Sequence, residues 1–124
     1  MHAAVTGIHN ILVIEDDPAI RQIIRDILEI QGYQVSVAAS GHEGIQQLKT
    51  IRPQPCVVLL DLMMPVTNGW QFLDFQRNDP SLAKVPVIIC SAYKESAMAV
   101  HPSGFVQKPV QLNELLDAVR TFCH

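Results

Sequence analysis

The sequence predicts an α/β fold in which a parallel sheet is covered by helices on both faces. Three observations predict it. Short apolar runs rich in β-branched residues alternate with stretches whose apolar residues recur at helical spacing. The runs ILVIE, CVVLLD and PVIICS lack polar alternation, as strands buried on both faces require. Helical stretches between successive strands make right-handed crossovers onto parallel neighbours.

Each element follows from local chemistry. ILVIE (11–15) is the first strand, and the ten residues before it read as a tail. Asp17 is placed to cap a helix whose first residue is Pro18, where the missing N–H costs nothing. Ile20, Ile23, Ile24, Ile27 and Leu28 form its apolar stripe, and Gly32 offers a left-handed stop. YQVSVA (33–38) is the second strand. Ser40 and Glu43 make an S-x-x-E capping box before a helix striped by Ile45, Leu48 and Ile51. CVVLLD (56–61) is the third strand, and Asn68 and Gly69 precede a helix presenting Trp70, Leu73 and Phe72. PVIICS (86–91) and GFVQ (104–107) are the fourth and fifth strands. Leu112, Leu115, Leu116, Val119 and Phe122 stripe the last helix, which Gln111 caps poorly.

With 124 residues the chain is expected to be one domain over 11–124, large enough to bury a core unaided. Its 48% hydrophobic and 17% charged residues and net charge of −3 suit a soluble protein. Nine scattered Lys and Arg argue against direct nucleic-acid binding through phosphates. No apolar run approaches the ~20 residues that span a bilayer, and MHAAVTGIHN lacks the pattern of a secretory signal. A cytoplasmic chain is expected, with no membrane partner. The cysteines show no zinc spacing, and Cys56 and Cys90 lie in apolar runs, so they are expected to be buried, reduced thiols.

Functional groups of such sheets lie beyond the carboxyl ends of the strands. There the sequence places Glu15, Asp16 and Asp17 after the first strand, Asp61 after the third, Ser91 at the end of the fourth and Lys108 after the fifth. Asp17, before Pro18, is better used as a cap than as a ligand. Clustered carboxylates repel unless a cation lies between them, and hard oxygen donors suit Mg²⁺. An Asp61 kept ionised by Mg²⁺ and Lys108 can act as a nucleophile towards phosphorus. Lys108 and the Ser91 hydroxyl would then hold phosphoryl oxygens.

ILVIEDDPAIR, VVLLDLMMPVTNGWQFL, DPSLAKVPVIICSA and GFVQKP together resemble a response-regulator receiver domain, the CheY-like phosphoacceptor of two-component signalling. The resemblance runs from Ile11 to Phe122. It implies a flavodoxin-like, doubly wound sheet of five parallel strands in the order 2-1-3-4-5. It implies Asp61 as phosphoacceptor and Asp16 as a direct Mg²⁺ ligand. Glu15 falls at the second acidic position, usually Asp, and the Met63 backbone carbonyl is a further metal ligand. Ser91 matches the switch hydroxyl, Lys108 the phosphate-binding lysine and Phe105 the rotating aromatic, with a cis bond between Lys108 and Pro109. The implied partners are a sensor histidine kinase or phosphotransfer protein and a downstream protein target. The implied activity assists the domain's own phosphorylation and dephosphorylation, with no separate turnover substrate.

Two departures matter. Only eleven residues separate Ala92 from Gly104, and Pro102 and Gly104 break helices, so the fourth helix is expected to be stunted, around Lys94 to Val100. The resemblance implies that Met63 and Tyr93 flank the phosphoryl group; both are large and neither is an obvious general base, so they are expected to obstruct an attacking water and make self-dephosphorylation slow. The alternative reading is a receiver-like scaffold that binds proteins without phosphorylation; the full set of acidic residues, Ser91 and Lys108 argues against it. A haloacid-dehalogenase-type phosphatase would want Asp where Met63 stands. A flavin phosphate would be repelled by the EDD loop.

Overall fold

The structure, a computed structural model, describes residues 9–62 and 69–124. Its elements run β1 (Asn10–Ile14), α1 (Pro18–Ile30), β2 (Gln34–Ala38), α2 (Gly41–Thr50), β3 (Val57–Asp61), α3 (Gly69–Asn78), β4 (Val87–Ser91), α4 (Lys94–Met98), β5 (Gly104–Gln107) and α5 (Leu112–Phe122). All strands pair parallel in the order β2-β1-β3-β4-β5. The expected fold class is therefore observed. Asn10, read as the end of the tail, instead begins β1.

The local signals act as their chemistry requires. The Asp17 carboxylate accepts from the Ala19 and Ile20 amides at 2.9 and 3.2 Å. Gly32 has φ 98°, which allows the chain to leave α1 through the left-handed region. The Ser40 hydroxyl accepts from the Glu43 amide at 3.1 Å, but the Glu43 carboxylate reaches back to the Ala39 amide rather than to that of Ser40. Lys108–Pro109 is cis, as is Arg52–Pro53.

Side chains alternate between the two faces of the sheet, and each face buries its own cluster. Leu12, Ile14, Leu60 and Ile89 pack with Ile45, Leu48, Phe72 and Leu73 from α2 and α3. Ile11, Val13, Leu59, Ile88 and Val106 pack with Ile24, Leu28, Leu115 and Val119 from α1 and α5. Both helix stripes are narrower than expected. Ile23 and Leu112 are more than half exposed and Trp70 on α3 is 38% exposed, while Phe72 is buried. The helices lie at the surface of a two-sided sheet, so part of each stripe stays in solvent: α1 buries Ile24 and Leu28 with Ile20 and Ile27 packed beside them, and α5 buries Leu115, Leu116 and Val119.

The fourth helix is short, as expected: α4 spans five residues. Tyr93 provides no side-chain cap, and His101 already turns the chain with φ 52°.

The expectation of reduced thiols fails for Cys56. Cys56, just before β3, and Cys123, at the end of α5, form a disulfide with Cα atoms 5.5 Å apart. Parallel packing brings the start of β3 under the last turn of α5 on the same face, although 67 residues separate them in sequence. Cys90 is a free, buried thiol whose pKa burial pushes up to about 12.

Candidate functional site

Register brings the charged residues together. Ile14 pairs with Leu60, so the next residues, Glu15 and Asp61, lie side by side at the ends of β1 and β3. Asp61 pairs with Cys90, Ser91 with Gln107, and the Lys108 amide donates to the Ser91 carbonyl at 3.0 Å. Alternation then assigns faces. Glu15, Asp61 and Lys108 share the parity of Val13, Leu59 and Val106, which face α1 and α5. Ser91 and Phe105 share the parity of Ile89, which faces α2 and α3.

The contacts follow from this placement. Lys108 Nζ lies 3.0 Å from Glu15 Oε2 and 3.2 Å from Asp61 Oδ2. Glu15 and Asp61 are 3% and 6% exposed, so both carboxylates are largely removed from water. Carboxylate oxygens of Glu15, Asp16 and Asp61 all fall within 4.8 Å of one another. Burial, and then the charge of Asp61, pushes the Glu15 pKa up to about 7, against the opposing pull of Lys108 and of the Asp17 amide. Burial works against the Lys108 ammonium, but hydrogen bonds to Glu15 and Asp61 and their charges outweigh it and hold its pKa above the ordinary value.

Three hard carboxylate donors in one corner, with a cation already bridging two of them, fit a hydrated Mg²⁺ better than a soft metal. Met63, expected to lend its carbonyl, lies outside the described residues. Ser91 is 1% exposed, and its Oγ accepts from the Tyr93 amide at 3.0 Å, holding the turn into α4. Phe105 is half-buried against the α2–α3 cluster. Sequence reasoning missed Arg21, whose Nη1 donates to the Glu15 carbonyl at 2.9 Å and approaches that of Asp16 at 3.5 Å. Its signal was available: a cation early in a helix opposes the macrodipole and needs a reason to be there.

Residues 11–120 match the family described as the response regulator receiver domain. The chain belongs to that family. Receiver domains act as signalling switches that work with histidine kinases and downstream effectors. The receiver is 34% identical over 115 residues to the DNA-binding dual master transcriptional regulator RpaA of Synechocystis, matching 89% of this chain and 47% of that protein. It thus spans about half the length of that relative. The receiver also superposes on chemotaxis protein CheY4 of Vibrio cholerae with a TM-score of 0.83 and 26% identity, covering 94% of this chain and 99% of the other. A similar fold, with a TM-score of 0.84 and 23% identity over 94% of this chain and 98% of the other, occurs in the receiver domain of a sensor histidine kinase from Pseudomonas aeruginosa PAO1. That structure was described with a magnesium ion coordinated in its active site cleft. Among the described residues of this receiver, no helix is long and apolar enough to cross a membrane.

Proposed function

We propose that this receiver is a phosphorylation switch in which Asp61 accepts a phosphoryl group from a histidine kinase, a phosphotransfer protein or a small phosphodonor. The observation that carries this reading is the Asp61 carboxylate, nearly buried, 3.2 Å from Lys108 and grouped with Glu15 and Asp16. An Asp61 oxygen attacks phosphorus while the bond from phosphorus to the donor breaks, leaving an acyl phosphate on Asp61. Glu15, Asp16 and Asp61 would hold Mg²⁺, which when bound supplies charge neutralisation for the transferring group.

Lys108 has a double role. Before transfer its ammonium is shared between Glu15 and Asp61; afterwards the phosphoryl oxygens compete for it. Ser91, whose Oγ accepts from the Tyr93 amide, keeps its own O–H to donate to a phosphoryl oxygen, so a move towards that group pulls on the turn that starts α4. The switch is therefore a rearrangement of hydrogen bonds at the end of β4, read by a downstream protein partner as a changed surface. Phe105, in register with Ile89 on that same face, is placed to follow the movement. Beside Lys108, an apolar groove of about 450 Å³ lined by Ile20, Ile23, Ile27, Pro109 and Val110 is a surface on which a donor protein could rest.

Incubation with acetyl phosphate and Mg²⁺, followed by intact-mass measurement, tests the reading. Wild type should gain the mass of one phosphoryl group, and Asp61→Ala should not. An unlabelled wild type that also ignores beryllofluoride would overturn the proposal in favour of a phosphorylation-independent scaffold.

A further inference from the structure

The turn that carries the acidic corner is braced by a cation whose charge is wrong for its place. Arg21 lies early in α1, near the positive end of the helix dipole. It also stands beside the residues assigned to Mg²⁺, where another positive charge weakens cation binding. Attraction to the neighbouring carboxylates would by itself make Arg21 a competitor of a bound cation.

Hydrogen-bond geometry gives it a different role. Glu15 is 3% exposed, so its backbone carbonyl is screened from water and needs a protein donor. Arg21 Nη1 supplies it at 2.9 Å and reaches towards the Asp16 carbonyl at 3.5 Å. The rest of the turn is tied on its other side. The Glu15 amide donates to the Ala38 carbonyl at 3.0 Å, and the Asp17 amide donates to Glu15 Oε1 at 3.2 Å. Arg21 is anchored in its turn by its own amide, which donates to the Asp17 carbonyl at 2.9 Å. Both carbonyls face the same nitrogen, Nη1, whose N–H groups are fixed in the guanidinium plane; an ammonium on a flexible stem has donors enough but not their fixed directions.

We propose that Arg21 is a positioning residue: its guanidinium clamps the Glu15 and Asp16 carbonyls, aims both carboxylates at the Asp61 corner and thereby raises Mg²⁺ affinity despite its like charge. The inference rests on the reading of that corner as a Mg²⁺ site.

Calorimetric titration of Mg²⁺ into wild type, Arg21→Met, Arg21→Lys and Asp16→Asn tests it, with folding of each variant checked by circular dichroism. Positioning predicts that Arg21→Met binds Mg²⁺ about 10–100-fold more weakly, the usual cost of losing a group that orients metal ligands. Arg21→Lys should fall between Arg21→Met and wild type. A purely electrostatic Arg21 predicts the reverse sign, with tighter binding by Arg21→Met and no change in Arg21→Lys. A merely structural Arg21 lowers the melting temperature without Mg²⁺ but leaves affinity unchanged in the folded variant. Either of those results overturns the proposal. If Arg21→Met does not fold, Arg21→Lys decides, and a wild-type dissociation constant there refutes the clamp. A wild type that binds no more Mg²⁺ than Asp16→Asn would sink the metal reading of the corner, and the clamp with it.

Discussion

Replacing Lys108 by Met removes the ammonium shared by Glu15 and Asp61 and keeps a side chain of similar length. The cost should depend on pH in a direction that the structure sets. At pH 8 the variant leaves two nearly buried carboxylates facing each other, and breaking a buried ion pair costs about 3–5 kcal/mol. The Lys108 side chain is 22% exposed, so the lower limit applies, about 3 kcal/mol. At pH 5 the native Glu15, with its pKa pushed up to about 7 by burial and by Asp61, already carries a proton. The loss then reduces to the Asp61 contact, worth about 1.5 kcal/mol as a hydrogen bond to a charged group. Urea denaturation without Mg²⁺ at both pH values is the assay. With a slope of about 2 kcal/mol per molar, the midpoint should fall by about 1.5 M at pH 8 and about 0.7 M at pH 5. Wild type has its own trend. The folded state keeps the Glu15 proton that the unfolded chain releases near 4.5, so stability falls as pH rises from about 4.5 to about 7 and levels off above. Equal midpoint shifts at the two pH values, or a Lys108→Met protein more stable than wild type at pH 8, would refute the reasoning.

Reducing the Cys56–Cys123 disulfide frees a 67-residue loop in the unfolded chain and should lower stability by about 4 kcal/mol, read as a drop in the urea midpoint on adding reductant; an unmoved midpoint would contradict it. At Gly69 an added Cβ would meet the Leu62 Cα at 2.8 Å and the Asp61 carbonyl oxygen at 2.9 Å, backbone atoms that cannot swing aside. Gly69→Ala should therefore cost about 1–3 kcal/mol in thermal or urea unfolding and slow labelling of Asp61, whose own backbone has to shift. Acetyl-phosphate labelling followed by decay should show a long-lived phosphoform, shortened in a Met63→Asn, Tyr93→Glu double variant. A decay rate that the double variant does not raise would count against the obstruction of water by those side chains.

How much was legible in the sequence differs between fold and site. The caps at Asp17 and Ser40, the stop at Gly32 and the short α4 were readable because each depends on residues within a few positions of one another. The acidic corner was partly readable, since strand ends carry functional groups in this architecture. Its wiring was not. Nothing in the spacing said that Lys108 would bind Glu15 as closely as Asp61, because Glu at 15 is one methylene longer than the usual Asp and reaches the ammonium. The exposure of Ile23 and Leu112 was missed for a related reason. Periodicity shows that a helix has an apolar face but not how wide a strip of it the sheet covers.

The order of elements, their ends and the chemical inventory at the rim of the sheet were determined by the sequence itself, because local hydrogen bonding and hydrophobic periodicity act over a few residues. Only the tertiary structure decided which members of that inventory touch. It shared Lys108 between Glu15 and Asp61 and joined Cys56 to Cys123. The physical reason is strand register and side-chain parity: these contacts link elements as far as 93 residues apart, and their partners are chosen by how the sheet is stacked.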